Sequence, residues 1–313
     1  MATHASFIEH GVQLIHAAKQ ARESAWIVSP FIKSSALRRV MDVLDASVPL
    51  TVVTRWRLDE LAVGVSDLSV FDDCGSRPNC RLLLCNDLHA KYFRMDQVAF
   101  IGSANLTGAG MGWVPRSNIE ILEPVDASAR WFSFETDLLA SSFMATVELR
   151  DAIAAALLET PKPLSSLSID ATAPNDSSRI SCAWVPLCRD PSALKFVYFG
   201  DTSNLVSTLV SAAKSDLADL GMPPGVKPTG FDHYVRCAML QEQLLRTIDK
   251  LITDTPRFGE LRIRLSNSEL LQENSRDPTD ALQCIMRWLM HFFPDRYVVK
   301  VYNFSECLGR RES

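Results

Sequence analysis

Residues 89–105 read HAKYFRMDQVAFIGSAN. His89 and Lys91 stand two positions apart, a spacing that sets both side chains on one face of an extended chain. An apolar run, VAFIG, then leads into Gly102, Ser103 and Asn105. Without a Cβ, Gly102 lets the backbone swing Ser103 and Asn105 toward one point. An imidazole, an ammonium, a hydroxyl and a carboxamide that converge in this way suit attack on phosphorus. His89 is the candidate nucleophile, Lys91 and Asn105 donate to the non-bridging oxygens, and Ser103 orients its neighbours. No carboxylate cluster for a metal is needed, and no cofactor is called for. The eight cysteines contain no CxxC pair, so zinc-binding spacing is absent too.

Such a site needs strands and turns to carry it. Phe7, Ile8, Val12, Ile15 and Ala18 fall at helical spacing over 5–22. AWIVSPFI (25–32) is a strongly apolar strand ended by Pro30, and Ser34 and Ser35 offer an N-cap for a helix carrying Leu37, Val40, Met41 and Leu44. PLTVVTRW (49–56), RLLLCN (81–86), KYFRMD (91–96), VAFIG (98–102) and SNIEILEPV (117–125) read as further strands. Strands alternating with helices imply an α/β sandwich around a largely buried central sheet. Residues 129–159 read as helical, and TPKPLSSLSIDATAPNDSSR (160–179) reads as a linker. The chain thus divides into a catalytic domain over 1–159, the linker, and a C-terminal α+β region over 180–313. In that region KFVYFG (195–200), ELRIRL (260–265) and RYVVKVYNF (296–304) look like strands, and 203–220, 234–253 and 279–292 like helices.

His89-Ala90-Lys91, Asp96, Gly102-Ser103-Ala104-Asn105 and Asn118-Ile119-Glu120 together resemble the HxK…D…GSxN…NxE signature of the phospholipase D superfamily. The interval from Asp96 to Gly102 is one residue shorter than the commonest form of the signature, a variation that a β-hairpin accommodates. The element order over 5–125 matches the half-site domain of that family. The resemblance implies a central mixed β-sheet flanked by helices and a covalent phosphohistidine mechanism without metal. It implies catalytic roles for His89, Lys91, Ser103, Asn105 and Glu120, and substrate contacts from Lys91, Asn105 and Asn118. Glu120 would hold the imidazole in one tautomer, as a carboxylate behind a catalytic histidine does elsewhere. Asp96 reads equally as a member of the site and as a turn residue between strands.

The implied chemistry uses two histidines, and His4, His10, His16, His233 and His291 are not followed by lysine two residues on. Single-motif members of the family pair two chains about a two-fold axis and share one site, so a homodimer is expected, with the small residues of GAGMGW (108–113) allowing close approach. The alternative is a decayed second copy, in which FVYFGDTSNL (196–205) would correspond to VAFIGSANL (98–106). CAWVPLCRDPSALKFVYFG (182–200) reads either as a Trp and Cys cluster docking the second region on the first domain, or as a surface for nucleic acid or a partner, and Arg189 before Asp190-Pro191 reads equally as a phosphate contact and as part of an ordinary turn. Together with GSANLTGAGMGWVPRSNIEI this stretch resembles phospholipase-D-like proteins of bacterial DNA-modification and phage-defence gene clusters.

Composition bounds these readings. The 313 residues are 47% hydrophobic and 22% charged with a net charge of −5, so any attraction for nucleic acid must be local rather than a general basic field. No apolar run is long enough to span a bilayer, and the start of the chain lacks the pattern of a signal peptide, so a cytoplasmic protein with reduced thiols is expected. The leading expectation is a metal-independent DNA nuclease in bacterial defence, with a helicase or other defence protein as a further partner. A phospholipid hydrolase or phosphatidyl transferase, and a DNA-binding sensor subunit, are the alternatives.

Overall fold

The computed structural model describes residues 10–127, 129–159, 183–272, 276–302 and 305–311. The linker expected at 160–179 lies outside them, as do Phe7 and Ile8. The chain forms two compact units, Met1–Leu157 and Leu158–Ser313.

In the first unit, α1 (His10–Gln20), β1 (Ala25–Val28), α2 (Ser34–Met41), β2 (Leu50–Thr54), α3 (Leu58–Val63), α4 (Val70–Ser76) and β3 (Cys80–Leu84) come in turn. They are followed by β4 (Tyr92–Met95), β5 (Val98–Gly102), β6 (Leu122–Asp126), α5 (Ala129–Ala140), β7 (Phe143–Met144) and α6 (Val147–Glu159). The result is a mixed seven-stranded sheet in the order β6-β5-β4-β1-β2-β3-β7, flanked by helices. β1, β2 and β3 run parallel, and the remaining pairs are antiparallel. Every residue of β1 and β2 is buried, which fits central strands covered on both faces and explains their unbroken apolar text. One face presents Trp26, Val28, Val53, Leu83, Tyr92 and Ala99, against which Leu138, Phe134 and Trp131 of α5 pack. The alternate set, Ile27, Val52, Leu82, Phe93 and Phe100, is buried as well. Between the sheet and α5, the Arg94 guanidinium forks onto Glu135 (Nε–Oε1 2.5 Å, Nη2–Oε2 3.1 Å), which also accepts from the Tyr92 hydroxyl at 2.8 Å.

Several local expectations are corrected. Ser34 is the first residue of α2, not its cap: its amide and hydroxyl go to Asp67 and Asp73 across the fold. The strand expected over 117–125 begins only at Leu122. The helical stretch of 129–159 is broken by β7, a short edge strand beside β3.

The second unit holds α7 (Ala193–Phe199), α8 (Ser207–Asp219), α9 (Phe231–Gln241), α10 (Gln243–Leu251), α11 (Phe258–Ser266), α12 (Glu269–Gln272), α13 (Pro278–Phe292) and the hairpin β8 (Tyr297–Tyr302) with β9 (Ser305–Arg310). Two expected strands are helices. KFVYFG lies in α7, which buries Ala193, Leu194 and Val197, and ELRIRL lies in α11, which buries Leu261 and Leu265 at a spacing of one helical turn. The correspondence of FVYFG with VAFIG therefore sets a helix against a strand, and among the described residues the element order of the second unit does not repeat that of the first. Of the described residues of CAWVPLCRD, Trp184, Val185, Pro186 and Cys188 are buried in the second unit, while Leu187, Arg189 and Asp190 are exposed. Trp184 meets Trp288 edge-on at 5.2 Å, and the buried Asp216 accepts from the Trp184 ring N–H at 3.2 Å and from the amides of Leu187 and Cys188. Arg189 pairs with Asp280 at 2.9 Å.

Candidate active site

Strand direction decides where the motif residues meet. β1, β2, β3 and β5 all end at one edge of the sheet, and β4 and β6, antiparallel to their neighbours, begin there. The carboxyl edge of parallel strands is the usual place for a ligand in an open α/β sheet. His89 and Lys91 precede β4, Ser103 and Asn105 follow β5, and Asn118 and Glu120 precede β6. All six sequence-expected residues thus lie at the same edge.

His89 is exposed, and Lys91, partly buried, turns its ammonium back to the His89 carbonyl at 2.9 Å. The two residues lie in the loop before β4 rather than on the strand itself, so this backbone contact, and not strand alternation, brings them together. Lys91 beside it, then partial burial and Arg55, hold the imidazole below its ordinary pKa of 6.5, so the ring favours its neutral, nucleophilic form. Burial lowers the Lys91 ammonium as well, with Arg55 adding to the shift and Glu120 opposing it.

On the other side of the site, Ser103 and the segment before β6 lock together. The Ser103 amide donates to the Ile121 carbonyl at 2.8 Å, the Ile121 amide donates to Ser103 Oγ at 3.1 Å, and Ser103 Oγ donates to Glu120 Oε2. Asn118 Nδ2 donates to the other carboxylate oxygen at 3.0 Å. Glu120 is therefore oriented by Ser103 and Asn118, and among the described residues no hydrogen bond joins it to His89. Gly102 is explained differently from the expectation. A Cβ there would lie 1.8 Å from the Ile121 carbonyl oxygen, so glycine permits a close approach of two backbones rather than a swing of one.

Asn105 is set by a residue that the motif does not contain. Ser29, fully buried just past β1, places its Oγ 3.1 Å from Asn105 Oδ1 and 2.9 Å from the Phe31 carbonyl, and accepts from the Leu106 amide at 3.2 Å. With its oxygen turned to Ser29, the carboxamide presents Nδ2 as a donor. Arg55, just past β2, was likewise not singled out from the sequence. Its guanidinium forks onto Glu60 and donates from Nη1 to the Leu88 carbonyl at 2.8 Å. Neither residue carried a local signal, because each follows a strand distant in sequence from the motif.

Asp96 does not join the site. It sits in the two-residue turn between β4 and β5 with φ 51, at the opposite edge of the sheet. Four residues of β4 put it roughly 13 Å from the start of that strand. Its carboxylate accepts from the amides of Arg22, Glu23 and Ser24, which anchor the chain entering β1 and hold the acid below its usual range against the opposing effect of burial. Gly110 and Met111 are buried, and Trp113 lies where a Cβ on Gly11 would stand.

Among the described residues no helix is long and apolar enough to cross a membrane, and no group of three His, Cys, Asp or Glu is placed to hold a metal ion. No family model and no curated protein matches the chain. Among solved structures it is similar to NucT from Helicobacter pylori, at 18% identity over 43% of this chain and 89% of that one, with a TM-score of 0.35. It is similar to a phospholipase D family member, Nuc from Salmonella typhimurium, at 15% identity over 43% and 89%, with a TM-score of 0.36. Phosphatidylserine synthase from Haemophilus influenzae is 11% identical over 50% of this chain and 43% of that one, with a TM-score of 0.38.

Proposed function

We propose that the protein is a metal-independent phosphodiesterase, a DNA nuclease of bacterial defence working through a phosphohistidine. The observation that carries this reading is the arrival at one sheet edge of an imidazole beside an ammonium, with the Asn105 carboxamide and a Ser103–Glu120–Asn118 cluster. His89 attacks phosphorus, an N–P bond forms, and the P–O bond to the leaving group breaks. Lys91 and Asn105 Nδ2 stabilise the charge that builds on the non-bridging oxygens. A second imidazole gives its proton to the leaving oxygen, then takes one from the water that cleaves the N–P bond and regenerates His89.

The second imidazole is assigned to His89 of another copy of this chain. Among the described histidines of the first unit, His10 Nε2 bonds the Glu120 carbonyl at 3.0 Å and His16 bonds Gln20 at 3.1 Å, and neither is followed by a lysine two residues on as His89 is. Beside Glu120, Ile119 and Ile121 are 88% and 61% exposed, and Val114 is also open. Apolar side chains flanking a polar site are suited to burial against a second protomer.

The test incubates the protein with EDTA and plasmid, single-stranded DNA, RNA or phosphatidylcholine vesicles. Cleavage of DNA that survives chelation and disappears in His89→Ala is expected. Loss of cleavage with EDTA, restored by Mg²⁺, refutes the mechanism, and turnover of the lipid alone moves the substrate class. Equal mixing of wild type with His89→Ala, after exchange, should leave about a quarter of the activity for a randomly paired two-fold dimer with a shared site. About half is expected if each chain works alone.

A further inference from the structure

Arg55 is bound in a way that a surface ion pair is not. Its side chain and that of Glu60 are each only 14% exposed, and the guanidinium lies over the Phe31 ring at 5.3 Å. Nε and Nη2 are both spent on the Glu60 carboxylate, donated by α3. Nη1 points a different way, to the Leu88 carbonyl. That oxygen shares a rigid peptide plane with the amide nitrogen of His89, so fixing one fixes the other. The loop from β3 to β4 is thus tethered at two points by the chain leaving β2. The Cys85 amide donates to the Thr54 carbonyl at 2.9 Å, and the Leu88 carbonyl accepts from Arg55 at 2.8 Å. Leu88 itself is buried, while His89, next along, stands in solvent.

We infer that Arg55 is a positioning residue for His89, its guanidinium clamped by Glu60 so that the third donor fixes the peptide that presents the imidazole. The clamp rests on the reading of His89 as the nucleophile. Only arginine fits it: a fork of separate N–H groups serves a carboxylate and a carbonyl at once, whereas one lysine ammonium cannot span both. Arg55 also places a fixed positive charge at the back of the site. The charged groups that bear on the His89 ring are Lys91 and Arg55, with Glu120 acting on Lys91. Both cations favour the neutral ring, Lys91 more strongly than Arg55.

The variants Arg55→Lys and Arg55→Gln divide the fork from the charge. Arg55→Lys keeps the charge and loses the fork, and it is expected to lower kcat on bis(p-nitrophenyl) phosphate by roughly 10- to 100-fold with KM little changed, the size of a small misplacement of a reacting group. Its His89 midpoint, followed by nitrogen-labelled histidine NMR, should stay near that of the wild type. Arg55→Gln should lose at least as much in kcat and also move the His89 midpoint upward. Arg57→Gln, which removes an exposed pair with Asp59 two residues on, should change neither. Unchanged kcat in Arg55→Lys overturns the inference, as does a His89 midpoint that does not respond to Arg55→Gln. Failure of Arg55→Lys to fold overturns it too, since the residue would then hold up the domain and not the histidine. A wild-type protein without phosphodiesterase activity refutes the proposed function alone. The NMR titration, with His89 resonance positions and line widths in Arg55→Lys, then decides whether Arg55 sets the imidazole.

Discussion

Gly102→Ala tests the joint on which the site is built. An alanine Cβ at 102 would stand 1.8 Å from the Ile121 carbonyl oxygen and 2.7 Å from its carbon, both backbone atoms that no rotamer change can move. That carbonyl also accepts the Ser103 amide at 2.8 Å, so relief of the clash must break or stretch this bond. The pairing of Gly102 with Leu122 at the end of β5 and β6 then opens by roughly 1 Å, and overpacking of this kind costs about 1–3 kcal/mol of stability. The same shift separates Ser103 Oγ from Glu120 and the Ile121 amide, and a displacement near 1 Å at a reacting centre costs on the order of 10²-fold in rate. Urea denaturation and kcat/KM on bis(p-nitrophenyl) phosphate measure the two losses. Gly75→Ala is the control, since a Cβ at that position in α4 meets nothing within 4 Å. A Gly102→Ala protein with the wild-type denaturation midpoint and full activity would refute the close-approach explanation of the motif glycine.

Two further outcomes are expected. Glu135→Ala leaves the Arg94 guanidinium, 6% exposed, with only Ser24 Oγ and the Asp96 carbonyl, and should cost about 3–5 kcal/mol in urea denaturation; Arg94→Met added to it should recover a large part, and a loss below about 1 kcal/mol refutes the buried pair. In the pH profile of kcat/KM, the neutral form of His89 is the reactive one, so activity rises with pH through a midpoint below the ordinary 6.5, and Lys91→Met, which removes the largest cause of that shift, should move the acid limb to higher pH. An acid limb that stays in place in Lys91→Met would show that the ammonium does not set the imidazole.

The sequence by itself determined the members of the candidate set that lie close together in the chain, together with the central strands. His89, Lys91, Ser103, Asn105, Asn118 and Glu120 fall beside strands whose apolar text is unmistakable, and a strand has only two ends at which to place them. The continuous burial of AWIV and LTVVT was legible for the same reason, because a strand covered on both faces has no polar alternation. Short apolar runs outside that context were not legible. KFVYFG and ELRIRL carry residues that suit a strand, but the helices that contain them bury Leu194 with Val197 and Leu261 with Leu265, about one helical turn apart, and packing overrides local preference. SECLGR gave no strand signal and became β9 through its pairing with β8. The tertiary structure alone decided which edge each residue occupies. Asp96 and Lys91 are near in sequence, but an extended strand carries them to opposite ends, and Asp96 became an anchor for the chain entering β1. Arg55 joined the site because β2 runs parallel to β3 and ends beside its outgoing loop, and Ser29 because β1 ends at the same edge as β5, which Asn105 follows. Contacts between strands so far apart in the chain depend on sheet order and direction, which no local spacing of residues encodes.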